Sequence, residues 1–185
     1  PAFFIALTDD PEAYAIENAI IIQLIAGVSG AVCGGLLADV WENRGLTSSG
    51  PNPAAMLQVP AIGLLVAGSS MYGLLYTKDY TTAFLCYCVF EPAQKTFFAP
   101  MFVAVQGASK PSLRDVILGV FMFLIWDSGA AMGSVIGEGA LTYQDKLAFI
   151  VPCNLAGGLI LWMISGWYAD QRVCTSCTEP IMKPC

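Results

Sequence analysis

The chain has 185 residues, 56% of them hydrophobic and 12% charged, with a mean hydropathy of +0.65, which excludes an ordinary soluble domain and reads as an integral membrane protein. Eight Lys and Arg against 14 Asp and Glu give a formal charge of −6, and basic residues this scattered exclude a nucleic-acid surface. No His is present, so imidazole acid–base chemistry and His-ligated metals are excluded and proton handling falls to carboxylates.

In chain order, the opening "PAFFIAL" reads as the last turns of an earlier helix and "TDDPEA" as a turn outside the membrane, so residues 1–18 are expected to precede the bundle. They carry neither an initiating Met nor the positive n-region of a signal peptide, which leaves open both a cleaved precursor and a complete product. Five apolar stretches follow, at 19–40, 57–76, 80–106, 114–141 and 147–168. Each is near the 20 or so helical residues that cross about 30 Å of hydrocarbon. The runs are continuous rather than alternating, which argues against a membrane barrel. The expectation is an all-α, polytopic membrane helical bundle over residues 19–172, with a polar, irregular, Cys-containing tail at 173–185.

Five crossings would put the loops 41–56 and 107–113 and the tail on one side. That side holds Arg44, Lys110, Arg114, Arg172 and Lys183 against Lys78 and Lys146 opposite. The bias places the C-terminus in the cytoplasm, or on the equivalent stromal or matrix side.

The first stretch carries Gly27, Gly30, Gly34 and Gly35, small residues that let a neighbouring backbone approach, and ends in "GGLLADVWENRG". That ending resembles the signature G-x-L-A-D-R-x-G-R-R/K of the major facilitator superfamily. Gly35, Leu37, Ala38 and Asp39 match, Arg44 stands near a basic position, and Val40 and Glu42 replace the first arginine and the glycine. Such degeneration suggests the second copy of the signature, between the eighth and ninth helices. The resemblance implies that Gly35, Asp39 and Arg44 belong to a gate, with Asp39 capping a neighbouring helix and pairing with a basic group. A solvated aspartate ending a helix is the plainer alternative.

Further along, "ASKPSLRDVILG" resembles the family's approach to the eleventh helix, with Pro111 and Arg114 in place, and the resemblance adds Arg114 to the gate. "FLIWDSGAAMGSVIGEG" is similar to the eleventh helix of the spinster-like branch at Asp127, Ile136 and Gly137, and Glu91 in "CVFEPAQKTFF" would be that branch's tenth-helix glutamate. The resemblance covers about residues 1–172, the C-terminal half of such a transporter. It implies proton-coupled movement, as in a symporter, of a small or amphipathic, lysolipid-like solute by alternating access.

Physical chemistry reaches several of these residues independently. An Asp near a helix centre costs about 2.5–3.5 kcal/mol on insertion scales, so Asp127 needs a protein or water neighbour. At 100° per residue Asp127, Ala131, Ser134 and Glu138 share one small, polar face that could line a cavity or bond a neighbouring helix. Glu91 and Lys95 stand one turn apart in the favourable order, either as a self-neutralised pair or as a proton or headgroup site with its counter-charge. Pro92 removes an amide donor, and Pro100 opens a second weak point in that stretch. Asn154, Gly157 and Gly158 read as packing features, and Trp41, Trp162 and Trp167 as interfacial anchors.

Cys33, Cys86, Cys88 and Cys153 read as small core residues. Cys174, Cys177 and Cys185 make a C-x-x-C and one more thiol, short of a four-ligand zinc site. No metal, no cofactor and no enzyme activity are expected, since no phosphate loop or nucleophile–base pair is present. Five helices cannot supply the two opposed bundles of alternating access. The expected partners are therefore membrane lipids and either a missing N-terminal transporter half or other membrane subunits. The alternative function is a transport-inactive, transporter-derived subunit packed in a larger membrane complex.

Overall fold

The structure is a computed structural model that describes residues 11–44, 52–124 and 143–178, with side chains described within 23–43, 52–124 and 148–170. The chain is all-α: α1 (Pro11–Arg44), α2 (Ala55–Tyr76), α3 (Tyr80–Lys95), α4 (Phe98–Ala108), a 3-10 turn (Pro111–Leu113), α5 (114–124) and α6 (Tyr143–Thr178). No strand occurs among the described residues.

Three helical segments are long and apolar enough to cross a membrane: Gln23–Asn43, Ala55–Tyr76 and Ala148–Asp170. The stretch 80–106 differs from expectation because it is broken between Lys95 and Phe98, so neither piece reaches spanning length. The stretch 114–141 is described only to residue 124. The tail from 173, expected to be irregular, continues α6 as helix to Thr178.

Local chemistry sets the element starts. Pro11 opens α1, where its fixed φ and missing N–H cost nothing. Asn52 opens α2: its N–H donates to the Glu42 carbonyl at 2.9 Å, and its side-chain oxygen accepts from the Ala54 N–H at 3.2 Å. This ties the start of α2 to the end of α1. Asp79 caps α3, its carboxylate accepting from the Thr82 N–H at 2.8 Å and the Thr82 hydroxyl at 2.7 Å.

Two apolar clusters fix the directions of the helices. One joins Ala38, Met56, Leu57, Ala104 and Tyr168, so the end of α1, the start of α2, the end of α4 and the C-terminal half of α6 meet at one end. The other joins Ala67, Met71, Leu74, Ala83, Phe90 and Val151 at the opposite end. α2 is the central helix and touches α1, α3, α4 and α6.

Small residues set how closely these helices approach. Ala26, Gly30, Gly34 and Ala38, four apart, form the buried face of α1. Leu24, Val28, Val32 and Leu36 are two residues out of step, about 200° around, and face outward. A methyl on Gly34 would overlap the Thr96 carbonyl oxygen and fall 2.7 Å from the Thr96 Cα. One on Gly30 would overlap the Pro92 carbonyl. On the other side of α2, a methyl on Gly158 of α6 would fall 2.9 Å from the Ala61 carbonyl oxygen, and one on Gly68 would fall 2.9 Å from the Leu155 side chain. The sequence expectation that Asn154, Gly157 and Gly158 pack helices agrees with this contact. Cys33 and Cys153, by contrast, lie on exposed faces rather than in the core.

Overpacking costs about 1–3 kcal/mol. Gly34→Ala is therefore expected to lower the unfolding free energy in mixed micelles by about 2 kcal/mol. Gly27→Ala, where nothing lies within 4 Å, should raise it by up to about 1 kcal/mol through helix propensity. A second expectation concerns Asp79, whose carboxyl is held below its ordinary value by the Thr82 hydroxyl bond first and the Thr82 amide bond second. A lowered folded value means the cap is intact above the ordinary value of 3.8 and is lost as the pH falls through the folded value beneath it. Protection of the Thr82 amide should thus be constant near neutrality and fall away only below about pH 4, and Asp79→Ala should remove it at every pH.

Candidate functional site

The break between α3 and α4 follows from Pro100. An α-helix bonds each N–H to the carbonyl four residues back, and Pro100 has no N–H to offer Thr96, while its ring crowds that carbonyl. The regular helix accordingly stops at Lys95. The Thr96 N–H turns to Ala93 at 3.4 Å, three residues back, and the Thr96 hydroxyl donates to the same carbonyl at 2.7 Å. Regular bonding resumes with the Met101 N–H on the Phe97 carbonyl at 3.1 Å. Pro100 itself is fully buried.

Thr96 is the meeting point of three helices. Its carbonyl lies on Gly34 of α1, and its hydroxyl lies where a Gly63 side chain on α2 would stand. Glycines from two helices cover this irregular backbone.

Glu91 lies one turn before this break and is buried at 6% exposure, alone among the acidic side chains described. Lys95 is the last residue of α3; its ammonium stands 5.7 Å from the centre of the Phe98 ring and its Cβ is 2.9 Å from the Gly30 position. A cation over a ring face is attracted by the ring quadrupole. No Glu91–Lys95 ion pair occurs among the described contacts. Of the expected substrate or proton residues, Glu91 and Lys95 are therefore brought to the break, while Asp127 and Glu138 lie outside the described residues.

The residues expected at a gate divide similarly. A methyl on Gly35 would fall 3.2 Å from the Ala99 methyl of α4. Asp39 is exposed near the end of α1, and its backbone carbonyl accepts from the Asn43 side chain at 2.8 Å. Arg44 ends α1, and its side chain lies outside the described residues. Arg114 is exposed where the 3-10 turn becomes α5. Thr96 and Gly63 were not among the candidates. A signal for Thr96 existed in its place four residues before Pro100, whereas Gly63 carries no mark that sets it apart from the other glycines of α2.

Fold and site together define a helical bundle of the membrane type with a buried carboxylate beside an interrupted helix. Compared with protein-family models, curated proteins and solved structures, the chain matches none.

Thr96→Val, similar in volume, removes the hydroxyl bond to Ala93. Loss of one such bond should reduce stability by about 1 kcal/mol, measured by denaturation in mixed micelles, while Thr96→Ser should retain most of it.

Proposed function

We propose that the chain is part of a multi-pass secondary transporter, and that the region of Glu91 binds a proton and, through it, couples the movement of a small or amphipathic, lysolipid-like solute. The observation that carries the reading is the burial of Glu91 one turn from a broken helix in an otherwise apolar bundle. Ionisable groups inside apolar bundles mark ion and proton pathways, and interrupted helices expose backbone groups where a substrate can bind.

In this mechanism Glu91 takes up a proton when it faces one side and releases it on the other. Lys95 offers a positive charge to an anionic headgroup. Asp127 and Glu138, in the apolar stretch 114–141, would complete the pathway. Gly35, Asp39, Arg44 and Arg114 would govern closure at the end where α1 meets α4, which on the charge bias of the loops faces the cytoplasm. A second bundle, on the same or another polypeptide, supplies the opposed half that alternating access needs.

The test is uptake driven by a pH gradient in proteoliposomes, using the native chain with whatever membrane partners purify with it. Glu91→Gln keeps the shape of the side chain but cannot ionise, and should reduce coupled lysolipid uptake at least about tenfold while the protein remains folded. Unchanged coupled uptake in that variant removes Glu91 from the mechanism. A wild-type assembly that moves no solute and contains this chain as a fixed component favours the structural-subunit reading.

A further inference from the structure

We propose that α4 is a lid hinged at Thr96–Phe97, which swings against α1 and α2 and opens the end of the bundle where α1 finishes and α2 begins. Three observations converge on it, each independent of any transported solute.

The first is the nature of the break. Thr96 and Phe97 keep right-handed backbone angles, φ −60° and ψ −18° at Thr96 and φ −77° and ψ −23° at Phe97. The interruption is therefore a defect in hydrogen bonding rather than a reversal of the chain. Small rotations at these two residues re-aim α4 without passing through forbidden backbone regions.

The second is the bearing surface. Around Thr96 the neighbouring helices present glycine hydrogens at Gly34 and Gly63, and around Pro92 at Gly30. At Gly34 the hinge meets α1 through main-chain atoms, and at Gly63 only the small Thr96 hydroxyl enters the gap that the glycine leaves. Sliding there does not require a rotamer to climb over another, as it would at a packed leucine contact.

The third is how lightly α4 is held. It has only 11 residues, too few for stability on its own, and only Pro100 and Ala104 are buried in it. Pro100 lies at the hinge end, so at the far end Ala104 and the partly buried Met101 anchor α4 to Ala38, Met56, Leu57 and Tyr168. Beyond it the 3-10 turn Pro111–Leu113 is wholly exposed, and Phe121 of α5 meets Phe102 of α4 edge-on at 5.8 Å. α5 is mostly exposed as well, so it can travel with α4. α3, in contrast, is seated by Ala83 and Phe90 in the cluster at the other end and does not move. Swinging α4 away withdraws Ala104 and Met101 and uncovers a route from that end toward Glu91. Only this last consequence rests on the proposed role of Glu91.

Hydrogen exchange on the native assembly in lipid nanodiscs tests the motion without reference to uptake. α1 amides at 35–39 lie at the same end of the bundle and serve as the depth reference. Amides 101–105 of α4 are expected to exchange at least about tenfold faster than that reference, because local opening is drawn from the least anchored elements. Pro100→Ala restores the donor to Thr96 and should slow the α4 amides toward the α3 rate. Equal protection of α4 and the α1 reference in the wild type overturns the proposal, whatever Glu91→Gln does to uptake. Acceleration of α3 and α4 together, as one unit, overturns it too.

Discussion

The bundle depends on backbone meeting backbone at one point. Thr96 offers a carbonyl that Pro100 cannot bond; Gly34 brings α1 onto that carbonyl, and Gly63 brings α2 onto the Thr96 hydroxyl and the Ala93 carbonyl. In lipid, where burial of apolar surface supplies no drive between helices, such close approach is the available source of attraction. The positions of α1 on one side and α2 on the other follow from this contact. Through α2, which α6 meets by the same device at Gly158 and Gly68, so does the rest of the described bundle.

Polar side chains within the helices are accommodated differently. The hydroxyls of Ser69 and Ser70 return to the Leu65 and Val66 carbonyls at 2.9 Å each. The Asn154 amide returns to Ile150 at 2.9 Å, and the Ser165 hydroxyl to Trp162 at 2.6 Å. These groups are satisfied within their own helix, so they impose little on their neighbours. A carboxylate cannot be satisfied in this way, because it accepts hydrogen bonds and the helix carbonyls have none to give. This separates Glu91 chemically from Asn154 and Ser165, the other polar residues of comparable burial.

The helical character of α1, α2 and α6 and the extent of α2 were legible in the sequence because apolar runs of that length have few alternatives, whereas α1 starts at Pro11, within the segment that reads as a turn ahead of the bundle. The broken crossing at 80–106 was half legible: Pro92 and Pro100 announced weak points, but hydropathy alone cannot say which of two prolines interrupts the helix. Pro92 lies inside α3 without ending it, and the interruption falls four residues before Pro100. The extension of α6 to Thr178 was not legible, because polarity ends only the membrane-like part of the helix and not the helix itself. At the candidate site, Glu91 and Lys95 stood out as charges in an apolar run. Their separate destinations, burial for one and the Phe98 ring for the other, depend on tertiary neighbours that spacing along a helix does not encode.

The seat around Thr96 also has an evolutionary asymmetry. The atoms that a side chain at 34 would meet first are main-chain atoms of residue 96, and every amino acid carries those atoms, so no exchange at 96 can make room for it. A side chain at 63 would meet the threonine hydroxyl first, an atom that a smaller residue would remove, and then the Ala93 carbonyl oxygen at 2.8 Å, which no exchange removes. Exchange at 96 therefore relieves the worst overlap at 63 without making full room there, while position 34 is held to glycine for as long as the helix keeps its break.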